Sequence, residues 1–146
     1  MNRNGPDFEK REGMFPPFLK QTLILSLCAW LVAGCGWFKS VERPARFEID
    51  QLIDASGQSL YTFDRDVAYS GKSLCDGPCT TLWRPFLAAT GAHRIDDFAL
   101  ITRPDGTRQW AYRGKPLYRY AEDRGPGDAL GDGVENLWRL AVREIR

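Results

Sequence analysis

The sequence predicts a mainly β, antiparallel domain with small α content, built from two related units and preceded by an N-terminal signal segment. Three observations carry this reading. A stretch of the chain recurs at an offset of 57 residues, short apolar runs alternate with Gly-, Pro- and Asp-containing turns, and one longer apolar run stands ahead of both. With 146 residues, 43% of them hydrophobic and 27% charged, the chain has the composition of a globular domain and the length of one. Lys and Arg number 20 against 19 Asp and Glu, so no strong field favours nucleic acid or an acidic polymer. A lone histidine, His93, excludes any zinc or haem site that needs two imidazoles.

The repeat is legible residue by residue. Gly57 to Asp66 (GQSLYTFDRD) aligns with Gly114 to Asp123 (GKPLYRYAED) at an offset of 57, and Leu82-Trp83-Arg84 aligns with Leu137-Trp138-Arg139 at 55. Each unit reads G-x-x-L-Y-x-aromatic-x-x-D, then a Gly-containing loop, then L-W-R. The units, 57–84 and 114–139, lie inside one β-rich domain spanning 47–146.

The elements follow in order. Phe47 to Ile53 alternates in part and reads as a strand; Leu60 to Phe63 follows a Gly-containing turn and reads as another. Thr80 to Ala89 suits a short helix that Pro85 interrupts. Phe98 to Thr102, Pro104-Asp105-Gly106 and Arg108 to Tyr112 form a hairpin, and Gly114-Lys115-Pro116 turns the chain into Leu117 to Tyr120 as the third strand of a meander. Asp123 to Asn136, with four glycines and Pro126, is a loop, and Asn136 to Val142 a final strand.

Gln21 to Ala33 is an apolar run of 13 residues behind Lys20. A membrane span needs about 20, so this length fits the apolar region of a secretory signal. Val32-Ala33-Gly34-Cys35 resembles the lipobox of bacterial lipoproteins. That resemblance implies a signal peptide over 1–34, cleavage before Cys35, lipid on its thiol and new amino group, and a linker over 35–46. Asp7, Glu9 and Glu12 are unusual ahead of a signal, which makes Met14 an alternative start with MFPPFLK as the basic region. Gly36 stands where an aspartate would signal inner-membrane retention, so the same resemblance implies the outer membrane, facing the periplasm.

By that resemblance Cys28 leaves with the signal and Cys35 takes lipid. Cys75 and Cys79 remain, separated by Asp76-Gly77-Pro78. An oxidising compartment favours a disulfide between them, and the intervening residues have turn chemistry. The other reading is a working thiol pair, similar to the Cys-x3-Cys of copper-handling Sco-type proteins, with His93 to complete a copper site. A c-type haem is excluded by the spacing and by Thr80. No cofactor is expected.

The repeated Tyr61, Phe63, Asp66 and Tyr118, Tyr120, Asp123 are the candidate site. Residues two apart in a strand share a face, so each unit's two aromatics face one side while Leu60 and Leu117 face the other. Either these rings are core and the aspartates cap the following turns, or rings and carboxylates form two equivalent sites for an envelope ligand such as a glycan. Asp128, Asp132 and Glu135 lack the calcium-loop spacing and read as a solvated turn, so no metal is expected. Arg103, Arg108, Arg113, Lys115 and Arg119 interleave with Trp110, Tyr112, Tyr118 and Tyr120. That pattern suits base stacking in a cytoplasmic protein. Behind a secretory signal, arginines over aromatic edges, or contacts to anionic lipid or cell-wall polymer, replace it. No Ser-His-Asp set, phosphate loop or HExxH is present.

With these motifs in hand, the mature chain resembles a family of bacterial secreted lipoproteins of unknown function described by a Tyr-x-(Phe/Trp/Tyr)-x-x-Asp motif. Ser73, Cys75, Gly77, Cys79 and Trp83 match its cysteine link; Arg103, Asp105, Gly106 and Gln109 its hairpin; Gly127, Asp128, Gly131 and Gly133 its loop. Thr80 and Arg84 depart from the usual alanine and proline. The resemblance covers Gly57 to Trp138 and implies an envelope protein with no known catalytic activity. The expected role is therefore non-enzymatic, structural or binding, with the membrane as partner through the lipid and an envelope protein or glycan as the other. A periplasmic redox or copper-handling protein is the alternative.

Overall fold

In the computed structural model residues 42–143 are described, and they carry nine strands of two to five residues, one turn of α-helix and one 3-10 turn. The signal segment and Cys35 lie outside the described residues. β1 (Ala45–Glu48) and β2 (Gln51–Asp54) form a hairpin around Ile49 and Asp50. β3 (Tyr61–Phe63), β4 (Trp83–Pro85), β8 (Tyr118–Tyr120) and β9 (Trp138–Leu140) make an antiparallel sheet ordered β4-β8-β3-β9. β5 (Phe98–Thr102), β6 (Arg108–Tyr112) and β7 (Lys115–Pro116) make the third sheet.

Four expectations change in detail. The stretch 47–53 is a hairpin, not one strand, because Ile49 is an apolar residue spent on a turn: it is 91% exposed with φ 56°. Its first strand starts at Ala45, inside the expected linker, because Ala45 is buried in the core. The helix shrinks to α1 (Cys79–Leu82), because Trp83 to Pro85 pair with Tyr118 to Tyr120 instead. Pro85 has no N–H to give a ladder, and β4 is an edge strand where that loss is tolerated. The third strand of the meander is Lys115–Pro116, since the chain reverses one step earlier, at Arg113 and Gly114. Both have positive φ, 47° and 79°, as a two-residue hairpin turn demands. Tyr118 to Tyr120 then belong to the other sheet.

The central sheet is two-fold in its own pattern. Tyr61 faces Leu140, Thr62 faces Arg139 and Phe63 faces Trp138; in the other half Tyr118 faces Pro85, Arg119 faces Arg84 and Tyr120 faces Trp83. Tyr61 and Tyr118 face each other at the centre. Every ladder of this sheet therefore joins one unit to the other, and neither unit holds a pair of it alone. Backbone bonds repeat the symmetry. Leu52 N–H donates to Ala141, Ala141 to Leu60 and Leu60 to Leu52, while Trp110 donates to Phe86, Phe86 to Leu117 and Leu117 to Trp110.

Two cores result. Leu60 and Leu117 pack with Leu52, Phe86, Phe98 and Trp110. Tyr61, Phe63, Tyr118 and Tyr120 pack with Trp83, Trp138 and Cys75 on the other face. The period-two alternation of the repeat thus sorts its leucines and aromatics onto opposite sides, as the sequence predicts. Trp83 and Trp138 stack at 3.7 Å and 5° between ring planes; Phe63 lies on Trp138 and Tyr120 on Trp83, each at 4.4 Å. This four-ring column places one tryptophan from each unit at its centre.

Candidate functional site

The motif residues meet across the pseudo-two-fold. Tyr118 Oη donates to Asp66 Oδ2 at 2.6 Å, and Tyr61 Oη donates to Asp123 Oδ2 at 2.7 Å, so each unit's tyrosine serves the other unit's aspartate. The remaining carboxylate oxygens accept backbone N–H groups: Leu74 N–H to Asp66 Oδ1 at 2.7 Å and Leu130 N–H to Asp123 Oδ1 at 3.1 Å. Tyr61 and Tyr118 are 0% exposed, Asp66 1% and Asp123 8%. Phe63 and Tyr120 are buried in the same cluster. All six side chains turn inward, the four rings into the aromatic core and the two aspartates onto backbone N–H groups of the following loops. The aromatic platform entertained for them has no exposed ring face here, because the strands turn both aromatics inward. The aspartates also reach further than a turn cap does, tying down loops seven and eight residues on.

Burial pushes both carboxyls above their ordinary 3.8, against the hydrogen bonds that pull them down. Burial, then the bonded aspartate, likewise raises both tyrosines. Asp54 goes the other way. Burial pushes it up, but Ser56, Arg119 at 2.6 Å and the Gln58 N–H together hold it below 3.8. For Asp123 the folded state binds the proton more tightly than the unfolded chain. Its contribution to stability is therefore full below 3.8 and is lost as pH rises through the raised folded value. Wild type is expected to gain stability relative to Asp123→Asn on acidification from pH 8 to pH 4. Urea midpoints of both proteins across that range check the sign.

The two sites differ in what surrounds them. Around Asp66 a buried network runs from Arg103 to Ser73 Oγ at 3.0 Å and from Ser73 to Tyr118 Oη at 2.7 Å. Arg103 is 5% exposed and also donates to Gln109 Oε1 at 2.7 Å and to the Cys75 carbonyl at 2.8 Å. Asp105 accepts from the Thr107 N–H and hydroxyl and shapes the hairpin that places Arg103 and Gln109 together. Cys75 and Cys79 are joined in a disulfide, with Cys75 fully buried in the aromatic cluster. Around Asp123 the loop closes on itself. Asp128 accepts from Arg124 and Gly125 N–H, Asp132 from Leu140 N–H, and Ser59 donates to the Asp128 carbonyl. Gly131 is there because a Cβ would come within 2.8 Å of the Trp83 ring and 3.0 Å of Tyr120.

Other candidates are dispersed. His93 is exposed in the loop ahead of β5 and its ring faces the Gly91 carbonyl. Among the described residues no three His, Cys, Asp or Glu side chains gather as a metal would need. Arginines do lie over aromatic rings: Arg119 over Phe86 at 4.6 Å and Arg113 over Tyr112 at 5.4 Å. Sequence reasoning missed the burial of Arg103, whose only signal was its place in the hairpin motif, and the pairing of buried Asp54 with half-buried Arg119, which no motif marks. It also missed Tyr69, an aromatic with no counterpart in the second unit.

The family described as a secreted repeat of unknown function matches residues 50–86 and 99–141, more than half of the chain. The chain belongs to this family. The two matched copies run from β2 through β4 and from within β5 through β9, so the break between them falls in the connection from β4 to β5. No curated protein and no solved structure matches the chain. Among the described residues no helix of this secreted repeat protein is long and apolar enough to cross a membrane.

Proposed function

We propose that this secreted repeat protein is a non-enzymatic cell-envelope lipoprotein, held by lipid on Cys35 at the periplasmic face of the outer membrane, and that it acts by binding an envelope partner. The observation that carries the non-enzymatic part is the internal use of every reactive motif group. Tyr61, Tyr118, Asp66, Asp123 and Cys75 are buried and bonded inward, which leaves none of them positioned to meet a substrate. A redox or copper role would need the cysteine pair open and His93 close to it; burial of Cys75 and the exposed position of His93 favour a bridge that braces the Arg103 network. The 13-residue apolar run ending at the Val32-to-Cys35 motif supports the anchor, and membership of a secreted family supports the compartment. Partners would then be membrane lipid through the anchor and an envelope glycan or protein, with nucleic acid excluded by location.

Metabolic labelling with an alkynyl fatty acid tests the anchor. Wild type should carry the label in the membrane fraction and Cys35→Ala should carry none. An unlabelled wild type, or a labelled variant, contradicts the assignment.

A further inference from the structure

Tyr69 stands out against the protein's own second copy. Its φ is 62°, it is 80% exposed, and its N–H donates to the Gly114 carbonyl at 3.0 Å. In the other unit the same closing bond, to Gly57, comes from Gly127 at φ 77°, also at 3.0 Å. One unit thus meets the left-handed turn with the residue that suits it and the other with a bulky side chain that does not. The other unit closes this turn with Gly127 and lays the small ring of Pro126 on Gly57, where a Cβ would meet it at 2.9 Å, so closure needs no aromatic, and an exposed ring gains little from burial. Strain of this kind concentrates at ligand sites. The ring is also held in place. A Cβ on Gly114 would sit 2.6 Å from Tyr69 Cγ and Cδ1, so the base of the ring rests on the Gly114 backbone.

Two grooves, of about 650 and 550 Å³, are both bordered by Tyr69, Asp97 and Arg113, and each has the volume of a ligand site. Their rims hold ion pairs, Arg113 with Asp97 at 3.0 Å and Arg139 with Asp64 at 3.1 Å. Across both, five Arg or Lys side chains stand against three Asp. A sugar ring offers an apolar C–H face, which an aromatic ring accepts, and a rim of hydroxyls, which carboxylates and guanidiniums bond. The surplus of cations suits acidic substituents. Two grooves sharing one ring suit a chain rather than a single sugar.

We infer that Tyr69 is the stacking platform of a binding groove for an acidic glycan chain, which names the partner class of the envelope role proposed above and rests on it. The test uses the full-length protein purified from membranes in detergent and three probes: a peptide-free amino-sugar strand bearing lactyl carboxylates, an uncharged N-acetylglucosamine oligomer of similar length, and polyglutamate. The acidic strand should bind, the uncharged oligomer about tenfold or more weaker, and polyglutamate not at all. Tyr69→Gly should lower affinity for the acidic strand about tenfold or more while leaving the thermal midpoint unchanged or higher; Tyr69→Phe should keep the affinity. Equal binding of the uncharged oligomer or of polyglutamate, no glycan binding, full affinity in Tyr69→Gly, or a lowered midpoint in that variant overturns the proposal. Loss of glycan binding by a protein still labelled at Cys35 fails this inference alone; loss of the label fails the envelope reading beneath it.

Discussion

Trp138→Ala is expected to destabilise the domain by about 3–5 kcal/mol, a large part of the roughly 5–15 kcal/mol that holds a domain together. Trp138 is 1% exposed and touches three other rings: Trp83 at 3.7 Å, Phe63 at 4.4 Å and Tyr118 edge-on at 5.1 Å. Removing it loses the transfer free energy of the indole and opens a cavity at the centre of the column, and each aromatic contact adds about 0.5–1.5 kcal/mol beyond burial. Trp83→Ala should cost a similar amount, since Trp83 is 3% exposed and occupies the related position. Because the two indoles stack on one another, the double variant should lose less than the sum of the singles. Urea unfolding followed by near-ultraviolet circular dichroism measures all three, and strict additivity would mean that the stacked pair is not one energetic unit.

The second large effect concerns the chain rather than a side chain. Among the described residues β3 pairs only with β8 and β9, and β4 only with β8, so a half containing β1 to β4 keeps the β1–β2 hairpin and the single Ile53–Ser59 bridge beside it. The half containing β5 to β9 keeps the β5-β6-β7 sheet but no partner for β8 or β9. Each half also leaves an aspartate without its tyrosine, Asp66 in one and Asp123 in the other. Buried groups stripped of their donors cost about 1–3 kcal/mol each, and a lone hairpin is marginal in water. Cutting the chain after Gly91, in the exposed connection between β4 and β5, is therefore expected to abolish folding of each half as a monomer while sparing every paired strand.

Much of this architecture was legible because the repeat carries its own alternation. Leu60 and Leu117 beside tyrosines at period two fix which face is which, and the Leu-Trp-Arg recurrence marks β4 and β9. The partnering of those strands was not legible. Nothing in the order of Tyr61, Asp66 and Trp83 says that each will seek its counterpart in the other unit rather than its neighbour, since exchange is a property of the folded pair. Turn positions were read less well than strands. Ile49 hid a hairpin because it is apolar, and Arg113 hid the other because arginine rarely takes positive φ. The site was read at the level of residue types: the motif aromatics and aspartates were found, but whether they face water or the core depended on a sheet whose second layer the sequence did not show. Tyr69 lies off every motif, and only comparison with Gly127 in space makes it stand out.

If the two units interlock, equilibrium unfolding of the chain cut after Gly91 will show it. Separately purified halves should show no cooperative transition as monomers, and their equimolar mixture should recover one, with near-ultraviolet signal from the stacked tryptophans and a midpoint that rises with concentration. A single half that unfolds cooperatively as a monomer, at a midpoint independent of concentration, would contradict the account.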